Sequence, residues 1–256
     1  MIKFTLATCV YNSAAELPAT LQSVMGQGYP YIEHLIIDGA SSDGSLALAE
    51  NYKRESDALS NGHEIRIVSE KDGGLYDAMN KALRLAKGDF VLFLNAGDRL
   101  HGATTLDLVA QAVGGRPTGV IFGDTDIVNG AGQFVRHRRL KPPAELGWKD
   151  FRRGMLVCHQ AFFASTALTA NCPYNLKYRF SADFDWSIRI MRQAQEKNLP
   201  IVNAKTIVAD YLEGGMTVKN HRKSLLERLR IMGHHYGWPT AVAMHLWFVA
   251  RAVIKK

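Results

Sequence analysis

The apolar positions of the first hundred residues fall into short runs separated by stretches with helical spacing. Lys3 to Cys9, Glu33 to Asp38, Glu64 to Ser69 and Asp89 to Leu94 read as strands. The last is apolar through its centre, the pattern of a strand covered on both faces. Between them, Ser13-Ala14-Ala15-Glu16 offers a capping-box start for a helix reaching about Gln27, and a second helix begins near Asp43. From Leu75 to Ala86, the residues Leu75, Met79, Ala82, Leu83 and Ala86 share one helical face. Strand and helix alternating in this way predict an α/β architecture, with a parallel sheet and right-handed crossovers.

After Gly102 the rhythm changes. Thr104 to Val113 reads as helix, Val120 to Gly123 as a short strand, and Asn129-Gly130-Ala131-Gly132 as a hairpin between two short strands. A basic connection containing Pro142 and Pro143 leads to a strand over Leu156 to Ser165, a helix over Asp183 to Glu196 and a strand over Ile207 to Leu212. Gly214-Gly215 precedes the final helical segments. The expected organisation is a first half over 1–102, a second over 103–218 and a helical tail over 219–256.

Composition adds two things. At 256 residues, 47% hydrophobic and 21% charged, the chain has material for a core and none of the bias of a disordered segment. Three widely spaced cysteines, Cys9, Cys158 and Cys172, form no metal-type pairs and fit buried free thiols in a reducing, cytoplasmic setting. Charge is uneven: the formal net charge is +7, and Lys219 to Lys256 holds eight Lys/Arg against one acid, Glu227, while the rest is balanced. Such a tail seeks an anionic partner. No module or groove-entering element for nucleic acid accompanies it. The stretch from Thr240 to Ile254 is too short to span a bilayer and is interrupted by Arg251, so an in-plane helix on an anionic membrane face is the expectation.

Candidate chemistry gathers where strands end. After the four strands come Tyr11 and Asn12, then Asp38, then Lys71 and Asp72, then Asn95 and Asp98. In an open parallel sheet these ends share one edge, where ligands bind. Tyr11 can stack on a base or ribose, Asp38 can accept from a nucleoside, and Lys71 can face phosphate. Taken singly, Asp38 before Gly39 also reads as a turn former and Asp43 as a helix cap. The first strand-to-helix turn has no glycine, so no dinucleotide fingerprint exists, and no Gly-Lys-Ser/Thr loop occurs either. Phosphate must then be neutralised otherwise, and a divalent cation, Mg²⁺ or Mn²⁺, held by Asp98 is the natural device.

Three segments, Ile36 to Gly44, Glu70 to Asn80 and Phe93 to Asp98, resemble family-2 glycosyltransferases over about the first 220 residues. The resemblance implies a GT-A fold: a mainly parallel, Rossmann-like sheet flanked by helices, with a smaller mixed acceptor-side region. It further implies an inverting transfer from a UDP- or GDP-type nucleotide sugar, as in bacterial surface-polysaccharide assembly. Carried over by position, Thr8, Tyr11 and Asp38 meet the nucleoside, with Lys71, Asp72 and Asn95 near the donor. Asp98 is then the metal-binding acid, although Asn95 and Gly97 leave it the lone carboxylate of its motif. Phe180 to Trp186 resembles the family's acidic site, making Asp183 the general base for a glycan or lipid-linked acceptor, with Asp185 beside it. Helix capping by Asp183 and a dipole role for Asp185 are the plain alternatives. His159 is implied at a sugar, or is a satisfied core histidine; Arg222 is expected at the diphosphate, and Gly214 to Thr217 as a segment closing over the donor. A sugar nucleotidyltransferase and a silent nucleotide-sugar-binding scaffold are the rival classes, and a peripheral location on the inner membrane face follows from the tail.

Overall fold

Burial on both faces makes the first strands. All seven residues of β1 (Phe4–Val10) and of β2 (Ile32–Asp38) are buried. The computed structural model describes residues 1–214 and 220–254, and its helices and strands alternate through the first half as the apolar runs require. After β1 and β2 come β3 (Glu64–Ser69) and β4 (Phe90–Phe93), with α1 (Leu17–Met25), α2 (Ser45–Leu59) and α3 (Leu75–Leu85) as the crossovers. These four strands are parallel in the order β3-β2-β1-β4. The register sets Val10 beside Asp38 and Asp38 beside Ser69, so their carboxyl ends are level.

Beyond β4 the same sheet continues, with β5 (Arg99–Leu100), α4 (Thr105–Val113), β6 (Val120–Val128), β7 (Phe134–His137), β8 (Phe162–Ser165), α5 (Thr166–Thr169), α6 (Ala182–Glu196) and β9 (Ile201–Leu212). The order runs on from β4 through β8, β6 and β9 to β5, with β7 hydrogen-bonded to β6. β8 is antiparallel to both β4 and β6, while β6 and β9 are parallel. Two helices close the chain, α7 (His221–Tyr236) and α8 (Trp238–Ile254). No helix among the described residues is long and apolar enough to cross a membrane.

Several expectations need correction. The capping box at Ser13 does not form: the Ser13 hydroxyl donates to the Tyr11 carbonyl, and the helix starts only at Leu17, with Pro18 in its first turn. β6 runs five residues past Gly123, through Asp126, whose carboxylate meets His137 at 2.7 Å. β9 likewise starts at Ile201 rather than Ile207. The strand expected from Leu156 is only Phe162–Ser165, preceded by a 3₁₀ turn over His159–Ala161. Successive strand residues face opposite ways, whereas this turn lets His159 reach Tyr174 and Gln160 reach Asp98. All three cysteines are buried free thiols.

Candidate active site

The level strand ends open onto a cavity of about 1190 Å³. On the β1–β4 side it is lined by Tyr11, Asn12, Gly39, Lys71, Asp72, Asn95 and Asp98. Tyr11 is 66% exposed, a free aromatic surface at the rim. A Cβ on Gly39 would stand 2.7 Å from an Asp72 carboxylate oxygen and 3.3 Å from the Tyr11 ring, so glycine is what lets those side chains close in.

Asp98 is positioned by a tight turn. Its N–H bonds the Asn95 carbonyl, Gly97 adopts φ +96 against Leu212, and the Thr20 hydroxyl on α1 donates to the Asp98 carbonyl at 2.7 Å. One carboxylate oxygen accepts from Gln160 at 2.8 Å and the other from the Leu212 N–H at 2.9 Å. Burial pushes this carboxyl up to about 7 against the bonds from Leu212 and Gln160, which favour its ionised form. Beside it, the Asn95 side-chain oxygen is buried without a partner. Each carboxylate oxygen keeps a second lone pair. Two hard oxygen donors, one of them orphaned, at the edge of a cavity fit a divalent cation that takes its remaining ligands from phosphate and water.

The opposite part of the lining comes from later elements. Asp183, in the first turn of α6, accepts from the Tyr76 hydroxyl at 3.0 Å and lines the same cavity as Asp98. His159 also lines it, with its Nε2 against the Tyr174 hydroxyl at 2.8 Å and its ring stacked on Phe93 at 5.3 Å. Burial holds this imidazole below its ordinary value, so it is neutral at physiological pH. Beneath it Trp186 stacks on Tyr174 at 4.7 Å and donates to the Cys172 carbonyl. Such aromatic pairs add about 1 kcal/mol each beyond their area and stiffen the floor.

Four expected site residues lie elsewhere. Thr8 is fully buried, its hydroxyl 2.9 Å from His34 Nε2, and it does not line the cavity. The same relay continues from His34 to Tyr52. Asp38 is buried just behind the lining residues Gly39 and Ala40, and its carboxylate accepts from the Ser69 hydroxyl at 2.6 Å and from the Ser41 N–H. Asp185 faces away from the cavity, 2.8 Å from both Arg189 and His235. Burial would raise its carboxyl, but the His235 bond and the Arg189 charge outweigh that and hold it below the usual carboxylate range. It therefore joins α6 to α7. Arg222 is exposed at the start of α7 and is absent from the lining. The closing segment expected at Gly214 to Thr217 lies, beyond Gly214, outside the described residues, as do Lys219, Lys255 and Lys256.

A second oxygen–nitrogen cluster sits off the cavity. His101, Asp126 and Asp210 have ligand atoms within 4.8 Å of one another. Their strand neighbours Ile127 and Tyr211 face the cavity, so these carboxylates face the other side of the sheet. Each is engaged by a histidine at 2.7 Å, Asp210 by His101 and Asp126 by His137.

Sequence reasoning passed over Tyr76, Thr20 and three arginines of the lining, Arg138, Arg179 and Arg228. Arg228 enters because α7 is clamped to the start of α6. Ser224 bonds Ser181, and Glu227 accepts the N–H groups of Arg179 and Phe180 at 2.9 and 2.8 Å. A run of polar residues on one face of α7, Ser224, Glu227, Arg228 and His235, was the available signal.

Comparison with known proteins bears on the family and the fold. A family model described as "Glycosyl transferase family 2" matches residues 5–168. The chain is 34% identical over 235 residues to a PGL/p-HBAD biosynthesis glycosyltransferase of Mycobacterium bovis, covering 88% of this chain and 83% of the relative. In fold it is similar to TarS of S. aureus, solved in complex with UDP-GlcNAc, with TM-score 0.66 and 19% identity over 97% of this chain and 72% of that one. It is also similar to the mannosyltransferase PcManGT of Pyrobaculum calidifontis, solved with GDP-Man and Mn²⁺, with TM-score 0.61 and 15% identity over 99% of this chain and 80% of that one.

Proposed function

Because the chain belongs to glycosyl transferase family 2, and is a glycosyltransferase of the GT-A fold, we propose that it moves a sugar with inversion from a UDP- or GDP-type donor to a hydroxyl of a glycan or lipid-linked acceptor. One observation carries this reading: Asp98 and Asp183, 85 positions apart in the chain (183 − 98), line one cavity together with Tyr11, Lys71 and Asn95. Tyr11 stacks on the nucleoside and Lys71 faces the diphosphate. Asp183 takes the proton of the acceptor hydroxyl as that oxygen attacks the anomeric carbon, a role typically worth 10²- to 10⁴-fold in rate. Tyr76 fixes the carboxylate by its hydrogen bond. His159, neutral and stacked, offers a polar contact to a sugar. Asp98 and Asn95 would hold the divalent cation, which when bound supplies positive charge to the leaving diphosphate.

The test is a panel of nucleotide sugars with and without Mn²⁺. At a concentration about 100-fold above Kd, the true donor stabilises the fold by about 2.7 kcal/mol, and its melting temperature should rise by at least about 5 °C. Transfer should give a product whose new linkage has the opposite anomeric configuration, read by NMR. Retention of configuration, or no response to any nucleotide sugar, would overturn the proposal.

We also propose that the tail rests on an anionic membrane face, which would bring the enzyme to a lipid-linked acceptor. Ala241, Met244 and Phe248 pack toward the core, while Trp238, Val242, Leu246 and Val249 are 57%, 47%, 67% and 61% exposed. The exposed set follows helical spacing and forms one outward stripe on α8, as an interfacial helix requires. Val242→Glu with Leu246→Glu should lower sedimentation with vesicles rich in anionic lipid by about ten-fold. Transfer to a water-soluble acceptor should be unchanged; equal sedimentation would remove the membrane role.

A further inference from the structure

Three arginines gather in one part of the cavity lining, more than a neutral sugar acceptor needs. Arg138, Arg179 and Arg228 all line the cavity, close to Asp183 and alongside Leu140, Met155 and Phe180. None of the three forms an ion pair among the described residues. The Arg138 guanidinium donates to the carbonyls of Leu140, Leu156 and Met155, which uses three of its five N–H groups and neutralises none of its charge. Arg228 lies over the Phe184 ring at 5.7 Å, and its Nε is buried with no hydrogen-bond partner. Arg179 lies over Phe180 at 5.9 Å, with its main-chain N–H held by Glu227. Burial lowers the Arg138 pKa from its ordinary value; Arg228 acts in the same direction as a nearby like charge, and Cys158, Tyr211 and Asp183 oppose it.

Partly desolvated cations with no directly paired carboxylate cost the fold free energy unless something else compensates them. No carboxylate of this cavity forms an ion pair with any of the three arginines among the described residues. Asp183 accepts from Tyr76, Asp98 from Gln160 and Leu212, and Glu213 lies 3.5 Å from Arg136. The guanidinium fork matches the two-oxygen face of a phosphate or carboxylate, and two stacked, preoriented forks bind it with little loss of freedom. These arginines come from the end of the β6–β7 hairpin, the segment before α6, and α7. The donor edge is built instead from the ends of β1 to β4.

We propose that Arg138, Arg179 and Arg228 form an acceptor subsite for an oxyanion, a phosphate or carboxylate carried by the acceptor close to the hydroxyl that reacts at Asp183. The inference rests on the transfer reading above and narrows it to anionic acceptors.

Calorimetric titration of the full chain tests it with UDP or GDP saturating the donor edge. The probes are glucose, glucose 6-phosphate and glucuronate. At least one anionic sugar should bind ten-fold or more tightly than glucose, and the arm that binds tells phosphate from carboxylate. Arg179→Gln with Arg228→Gln should erase that preference while nucleotide affinity stays within two-fold, which also reports an intact fold. Arg228→Lys should recover part of it. Equal binding of all three sugars with nucleotide bound would overturn the subsite and leave the transfer reading standing. A parallel fall in nucleotide affinity would assign the arginines to the donor diphosphate and overturn it too. Failure of both nucleotides to bind would bring down the donor reading and this inference with it.

Discussion

Asp183→Asn should lower kcat for sugar transfer by about a thousand-fold, within the range that positioned acid–base groups supply, and leave donor affinity within two-fold. The amide has the shape of the carboxylate and still accepts from Tyr76, whose hydroxyl lies 3.0 Å from Asp183. What it loses is the ability to take a proton. The Asp183 carboxylate makes no other hydrogen bond among the described residues, and Asp98 is held by Gln160 and Leu212 instead, so the Asn95–Asp98 turn keeps its bonds in the variant. Single-turnover rates at saturating donor, with donor affinity measured separately, make the distinction. If rate and donor affinity fell together, Asp183 would be a donor ligand and the base would have to be sought elsewhere along the lining.

The first half of the fold was legible because strands buried on both faces leave unbroken apolar runs, and β1 and β2 are such strands. The mixed half was harder to read. β6 continues through Asp126, which meets His137 on β7, and β9 begins at Ile201, beside Val120 of β6, rather than at Ile207. Those pairings link residues on different strands, which a local pattern does not contain. The same reason explains the site. Tyr11, Lys71, Asp98 and Asp183 line the cavity, and each follows a strand or opens a helix, positions that can be read along the chain. Thr8 and Asp38 stand at comparable positions, yet their side chains turn to His34 and Ser69 instead. Which way a polar group turns at a strand end depends on its neighbours in space. Arg228 was hidden for the converse reason. It sits in a tail whose excess charge reads as directed to an anionic partner, and only the docking of α7 through Glu227 and His235 brings it inward.

Asp98→Ala should erase the metal response of donor binding and weaken nucleotide-sugar affinity by about 100-fold, the upper range for disrupting the support of a metal site. Asp98 is the only carboxylate of its turn, with Asn95 and Gly97 where further acids would otherwise stand. No second acid of that turn can take its place. The wild-type pH dependence follows from the same group. Burial raises its carboxyl to about 7, so the proton competes with the cation below that value and releases the site above it. The ionised fraction is about one tenth at pH 6 and about nine tenths at pH 8, so Mn²⁺ affinity should fall about ten-fold from pH 8 to pH 6. The sign is fixed: a raised carboxyl loses metal as pH drops, whereas an ordinary exposed carboxylate would show no change across that interval. In the alanine variant the pH step should vanish along with the metal response. Titrating Mn²⁺ at both pH values, with donor present, reads both effects in wild type and variant. An alanine variant that still answers to Mn²⁺ would remove Asp98 from the cation site and leave its burial without a functional reason.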